Sequence, residues 1–377
     1  MKVLYLHNSS EDSEKANLLQ VKAMCKAISE SGNDVLLSLL NYNKSSKNGL
    51  LNTELNYKVH ERSQAVHSKR ISKYFQINEI RYAIDFFKPD LIYVRSPLLL
   101  FQLRKMNIPL IVELHNNKLH KGSELLDKYW RHFLLKHSKT SQVLKVVCIS
   151  ETLAKYWIEH GISPEKITTA HDAIDHNQFD KPLTKEEARK RLNLQQEKKI
   201  ITYLGRLYKN RKIDNIIQLA EHFPQELFLI VGGPNTEVER LKKILQVRNV
   251  NNVRLTGQVP HRKITNYLYA SDILLALWSS KVNTINYCSP LKLFEYMGAG
   301  RTIVAHGFPT ILEVLKDQHN AIICEPDSTE DLIKKVGKAL GVCESSDLGR
   351  NARKEVFEKY TWQKRVDKIF KDLPISY

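Results

Sequence analysis

IITYLGRLYKNRKIDNIIQLAEHFPQELFLIVGG, residues 200–233, opens on a β-rich run (200–207), passes through a helix-length amphipathic stretch, and ends in a second apolar run closed by two glycines. Strand, helix, strand in that order is the unit of a parallel sheet, because parallel neighbours need a crossover and a right-handed helical one supplies it. The alternation continues downstream in NVRLTGQV (252–259), DILLALW (272–278), RTIVAHG (301–307) and AIICEP (321–326). Upstream it runs through VLYLH (3–7), DVLLSLL (34–40), DLIYVR (90–95), PLIVELH (109–115) and KVVCIS (145–150). The chain thus writes an α/β fold twice, as two Rossmann-like, doubly wound parallel-sheet domains expected at 1–179 and 180–360. The charged stretch DKPLTKEEARKRLNLQQEKK (180–199) reads as the connection between them. Helices close the chain over 355–373, and the segment 361–377 is expected to pack back on the first domain.

Composition sets the class. A chain of 377 residues exceeds what one core usually serves, and 42% hydrophobic with 26% charged residues is globular rather than disordered. No apolar run reaches eighteen residues, and Val3–Leu6 is too short for a signal peptide, so a cytoplasmic location is expected. Five scattered cysteines without a C-x-x-C pair read as reduced thiols. The net charge of +17 is spread almost evenly over both halves. One segment, 118–145, is denser: seven basic side chains interleave with Tyr129, Trp130, Phe133, Leu134 and Leu135. A basic amphipathic helix of that kind suits an anionic membrane surface, and equally suits a core-facing stripe with a solvated back.

The chemistry is expected at the carboxyl ends of the strands, where open parallel sheets bind ligands. In SPLKLFEYMGAG (289–300), Ser289 suits an N-cap and Pro290 the first helical position, and Leu291 and Lys292 follow. The free N–H groups and positive dipole of that helix end would hold a diphosphate, and Glu295 would accept hydrogen bonds from ribose hydroxyls. In YLGRLYKNRK (203–212) a strand ends at Gly205 and delivers Arg206, Arg211 and Lys212, cations that would stabilise a departing nucleotide diphosphate as a bound metal does elsewhere. LFLIVGGP (227–234) is a buried strand ending at Gly233.

GRLYKNRK, IVGGP, TGQVPHRKITNYLYASDILL and SPLKLFEYMGAGRTIVA fall in the order and spacing seen in the retaining, two-Rossmann-domain "group 1" glycosyltransferases, which this chain resembles over residues 140–310. The resemblance implies the GT-B architecture, two domains facing across a cleft. It also implies a nucleotide diphosphate sugar as donor, UDP or GDP, and a glycan or lipid-linked acceptor. No cofactor and no protein-bound metal are implied. Arg206 corresponds to the arginine of the family's R-x4-K pair, whose lysine falls at Arg211, with Lys212 beside it. Glu295 corresponds to the second acid of its E-x7-E motif, and the position of the first acid is Tyr287. Gln258 and Val259 lie in the loop whose backbone reads the nucleobase. His115 corresponds to a first-domain histidine directed at the transferred sugar, with Asn8, Ser9 and Asn116 on the acceptor side.

The function expected is therefore a metal-independent, retaining hexosyltransferase of bacterial-type surface polysaccharide or glycoconjugate synthesis, cytoplasmic or peripheral on the inner membrane face. The alternative is a nucleotide-sugar-binding scaffold subunit, favoured by Tyr287. A nicotinamide-dependent oxidoreductase would need G-x-G-x-x-G after its first strand, which is absent, and no nucleic-acid-binding module is recognisable.

Overall fold

The computed structural model describes residues 1–8, 16–41, 49–51, 56–63, 69–120, 122–207, 213–282 and 284–374. The chain forms two compact units, Met1–Asp172 with Trp362–Tyr377, and Ala173–Thr361. The division thus falls at 172/173 rather than at 179/180. Packing explains the difference: Ile174 pairs with Thr361, and Phe179 has no exposed surface and lies against Tyr269 in the second unit's core.

The first unit holds an eight-stranded sheet of β1 (Lys2–His7), β2 (Asp34–Asn41), β3 (Gly49–Leu51), β4 (Lys58–Ser63), β5 (Leu91–Val94), β6 (Leu110–Leu114), β7 (Val143–Cys148) and β8 (Ile167–Thr169). Its order is β3-β4-β2-β1-β5-β6-β7-β8, parallel except where β3 meets β4. The second unit holds β9 (Ile200–Leu204), β10 (Leu227–Val231), β11 (Val253–Leu255), β12 (Ile273–Ala276), β13 (Thr302–His306) and β14 (Ile322–Cys324), in the order β11-β10-β9-β12-β13-β14. All of its pairings are parallel. In each sheet the winding reverses at one place, between β1 and β5 and between β9 and β12, and such reversals open a crevice at the strands' carboxyl ends. The central strands β5, β6, β9, β12 and β13 are buried along their whole length, as helices on both faces require.

One expectation is corrected. The segment 180–199 is not a free connection: its helix Lys185–Leu192, closed by a capping box of Thr184 and Glu187, is built into the second unit. Arg189 Nη2 lies 2.6 Å from Asp272 Oδ2 and Lys185 Nζ 2.9 Å from Oδ1, while the Ile200 N–H donates to Oδ2 at 2.7 Å. A buried carboxylate satisfied on both oxygens therefore ties the helix to the start of β9. The closing stretch 355–373 is helical as expected, in the two helices Leu348–Lys359 and Trp362–Phe370, interrupted where Thr361 pairs with Ile174. The second of these belongs to the first unit and packs on the helix Ala16–Glu30. Among the described residues no helix is long and apolar enough to cross a membrane.

Removing Arg189 leaves the Asp272 carboxylate, 1% exposed, short of its main partner. Arg189→Ala is expected to lose about 3 kcal/mol of unfolding free energy, measurable as a lower urea midpoint at unchanged slope. An unaltered midpoint would show the pair to be dispensable.

Candidate functional site

In the second unit, three loops at the carboxyl ends of β9, β10 and β11 are laced backbone to backbone. The Gly205 N–H donates to the Val231 carbonyl at 2.9 Å, and the Gly232 N–H to the Gly257 carbonyl at 2.9 Å. Gly232 has φ +113, and the carbonyl oxygen of Gly205 fills the space where its side chain would stand. Gly233 has φ +87 and is covered in the same way by the Leu207 side chain. Only glycine meets both demands, a left-handed backbone and no Cβ, so the glycine pair is a requirement of loop approach.

The helix Leu291–Ala299 points its start at the reversal between β9 and β12. It is held there by Tyr296, whose hydroxyl accepts from the Leu204 N–H at 2.8 Å and donates toward the Leu275 carbonyl at 3.4 Å. One buried phenol thus bridges the two strands that part company. The helix begins one residue later than expected: Pro290 occupies the N-cap with ψ 118, Ser289 precedes it, and no side chain caps the first turn. Lys292 sits in that turn. Its ammonium lies 4.6 Å from the ring centre of Tyr203 on β9 and 4.3 Å from that of Trp278, just beyond β12. The same nitrogen is 3.7 Å from the position a Gly205 side chain would take, and Arg206 follows with its side chain exposed. A cation, a helix start and close-packed glycines therefore meet at the switch point, an arrangement that binds anions. Arg211 and Lys212 lie outside the described residues.

Glu295, 8% exposed, has Oε1 2.7 Å from Nε2 of His261. The hydrogen bond to Glu295 holds the His261 pKa above its ordinary value, against a smaller effect of burial. His261 is a site residue that the sequence reading passed over, although it stands two residues beyond Val259 in VPHRK. Of its neighbours, Gln258 is exposed and Val259 half-buried against the core. Tyr287 is half-buried and closes a turn through a bond from its N–H to the Thr284 carbonyl at 3.0 Å.

In the first unit, a polar pocket of about 300 Å³ opens at the ends of β1, β5 and β6 and is lined by His7, Asn8, Arg95, His115, Asn116 and Lys118 among others. Ser9 lies outside the described residues. Beneath the pocket is a buried charge network. Glu113, with no exposed surface, shares a face of β6 with His115 two residues on. Its Oε1 accepts from Gln20 at 2.7 Å and from His115 Nε2 at 2.6 Å, and its Oε2 accepts from the Tyr93 hydroxyl and lies 3.1 Å from Arg365. Burial alone would raise the Glu113 pKa, but Arg365 above all, then His115 and Arg95, hold it well below the carboxylate range. Arg95 donates to His115 Nδ1 at 3.2 Å. Both nitrogens of the His115 ring are thus engaged by the protein, and burial together with Arg95 pushes its pKa down to about 4. Glu113 beneath it and Arg95 beside it thus fix the orientation of the ring that the resemblance directs at the sugar. Beside the pocket, and sharing Asn8, Ser96 and Leu98 with it, lies a groove of about 1230 Å³ walled by Phe101, Leu126, Tyr129 and Trp130.

A family model described as "Glycosyltransferase Family 4" matches residues 20–178, and one described as "Glycosyl transferases group 1" matches residues 184–355. The chain belongs to the group 1 glycosyltransferases. An uncharacterized glycosyltransferase of Methanocaldococcus jannaschii, MJ1069, is 28% identical over 60% of this chain and 58% of its own length. The GPI3 subunit of a phosphatidylinositol N-acetylglucosaminyltransferase of Saccharomyces cerevisiae is 26% identical over 67% of this chain and 56% of its own length. The chain thus spans less than two thirds of either relative. Among solved structures, Anabaena Alr3699/HepE in complex with UDP and glucose superposes with a TM-score of 0.75 at 16% identity, covering 99% of this chain and 100% of that one. The likeness shows a two-domain Rossmann-like fold.

The His261–Glu295 pair has a pH signature. A histidine whose pKa rises on folding contributes stability that is whole below pH 6.5 and fades as pH climbs through the raised folded value. The stability gap between the wild-type chain and its His261→Gln variant is expected to be widest in mild acid and to close toward pH 8. Thermal melts across that range would reject the pairing if the gap were flat.

Proposed function

We propose that this glycosyltransferase moves a hexose from a UDP-linked donor to a glycan or lipid-linked acceptor, with retention of anomeric configuration and without a protein-bound metal, in surface glycoconjugate synthesis. The observation that carries the reading is the Lys292 ammonium held over Tyr203 and Trp278 at the first turn of the helix Leu291–Ala299. A diphosphate there would meet the positive end of the helix, Lys292 and Arg206, which together would supply the positive charge that a divalent ion supplies in other enzymes. The leaving phosphate itself would take the proton of the attacking hydroxyl on the face it vacates. UDP is preferred because the Anabaena structure holds UDP and glucose, and a lipid-linked acceptor agrees with the name of the yeast relative.

The reading predicts turnover of UDP-sugars that survives EDTA, with a product whose anomeric proton coupling matches the donor's. Arg206→Ala is expected to lower kcat by about two orders of magnitude. A protein that binds UDP-sugars and neither hydrolyses nor transfers them would instead be a scaffold subunit, the role to which Tyr287 in place of an acid would be suited.

Contact with an anionic membrane surface belongs to the same reading. The helix within 118–145 covers Glu124–Ser138 and leaves Leu125 79% exposed, with Leu126, Tyr129 and the neighbouring Phe101 also exposed. Lys128 and Arg104 flank them, the Arg104 guanidinium 3.8 Å above the Phe101 ring. Apolar side chains beside cations suit the boundary between headgroups and acyl chains. Flotation with phosphatidylglycerol vesicles is expected at low salt and should fall sharply for a Leu125→Ser, Leu126→Ser double variant; equal flotation of both proteins would exclude this helix as the contact.

A further inference from the structure

We infer that His261 is a positioning residue for the donor's ribose: by engaging one oxygen of Glu295 it presents the other to the ribose hydroxyls. The inference rests on the donor reading above, in which a nucleoside diphosphate lies at the start of the helix Leu291–Ala299.

The pair is assembled from two helices that pack on each other. His261 opens the turn His261–Lys263, which runs into the helix Ile264–Ala270, and that helix lies against Leu291–Ala299. Pro260 stands before the turn and Val259 is packed on the core, so the imidazole leaves a well-held backbone. Glu295 stands three residues beyond Lys292, and residues so spaced are neighbours on one helix face, about 5–6 Å apart. That is the reach from the α-phosphate of a nucleotide to the hydroxyls of its ribose.

A carboxylate that only ties elements together is used up by them. Asp272, Glu113 and Glu355 are buried carboxylates of that kind, each engaged by the protein on both oxygens. Glu295 differs. His261 Nε2 donates to its Oε1 at 2.7 Å, whereas among the described residues nothing donates to its Oε2. That oxygen is not sealed from solvent, and part of each side chain remains exposed. A carboxylate accepts and cannot donate, so the open oxygen suits hydroxyl groups, which donate. Holding Oε1 in advance removes rotamer freedom that the glutamate would otherwise lose on binding. The hydrogen bond to Glu295 and then the charges of Glu295 and Asp175 favour the protonated ring against the effect of burial, and a charge-assisted bond holds the carboxylate more firmly than a neutral one. His261 thus acts through Glu295.

The test reads the preference for a ribonucleotide over its 2′-deoxy form, a ratio that a general loosening of the fold would leave alone. The full chain is titrated calorimetrically at pH 7 with UDP and 2′-deoxy-UDP, and with GDP and 2′-deoxy-GDP. Wild type is expected to favour the ribonucleotide about tenfold or more, since the missing hydroxyl binds a charged acceptor. His261→Ala should cut the preference to about threefold or less, and His261→Gln, whose amide reaches as far as the imidazole Nε2, should recover part of it. Glu295→Gln should lower the preference as well, and adding His261→Ala to it should then change nothing further. If His261→Ala does not fold, His261→Asn, too short to reach Glu295, takes its place. A full preference in His261→Ala or its replacement, a further drop in the double variant, or a wild-type chain that binds ribo and deoxy forms alike would each overturn the inference and leave the donor reading standing. A wild-type chain that binds none of the four nucleotides would overturn the donor reading and this inference with it.

Discussion

The first unit is organised around a carboxylate that never sees water. Glu113 lies in the middle of an otherwise apolar strand, where an ionised side chain is tolerated only when paired and hydrogen-bonded. Arg365 supplies the opposite charge, itself 3% exposed, with its Nε donating to the His171 carbonyl at 2.9 Å. Gln20, Tyr93 and His115 take up the remaining acceptor capacity. Because these side chains come from β5, β6, the helix Ala16–Glu30 and the helix Trp362–Phe370, one ion pair sets the position of the pocket floor and the orientation of His115 together.

The second unit reaches comparable definition by different means. Its loops approach through glycine, its helix start is aimed by a tyrosine bridging two strands, and its Lys292 lies against two aromatic faces. That choice has a physical consequence. An aromatic cradle draws the Lys292 ammonium to two ring faces and so fixes where its charge stands at the helix start.

The fold was legible because its central strands are buried on both faces and read as continuous apolar runs. The strands that escaped, GLL, KVHERS and ITT, lie at or beside sheet margins, are short or polar, and owe their pairing to neighbours rather than to their own pattern. The site was legible where the backbone dictates it, at Gly205, Gly233 and the helix after Pro290. It was illegible where side chains from distant segments complete it. Nothing in VPHRK announces that His261 reaches Glu295, and nothing in LIVELH shows that Glu113 will capture the His115 ring. The charged stretch 180–199 misled for the same reason: its partner, Asp272, lies far along the chain.

The passage of the chain between units governs the order in which the molecule can be made. The second unit is one uninterrupted segment, whereas the first is built from two, Met1–Asp172 and Trp362–Tyr377. Until the returning helix has been synthesised Glu113 has no Arg365, and the sheet around it holds an unneutralised charge. The unit whose strands are made first is therefore completed only after the whole of the second has been made.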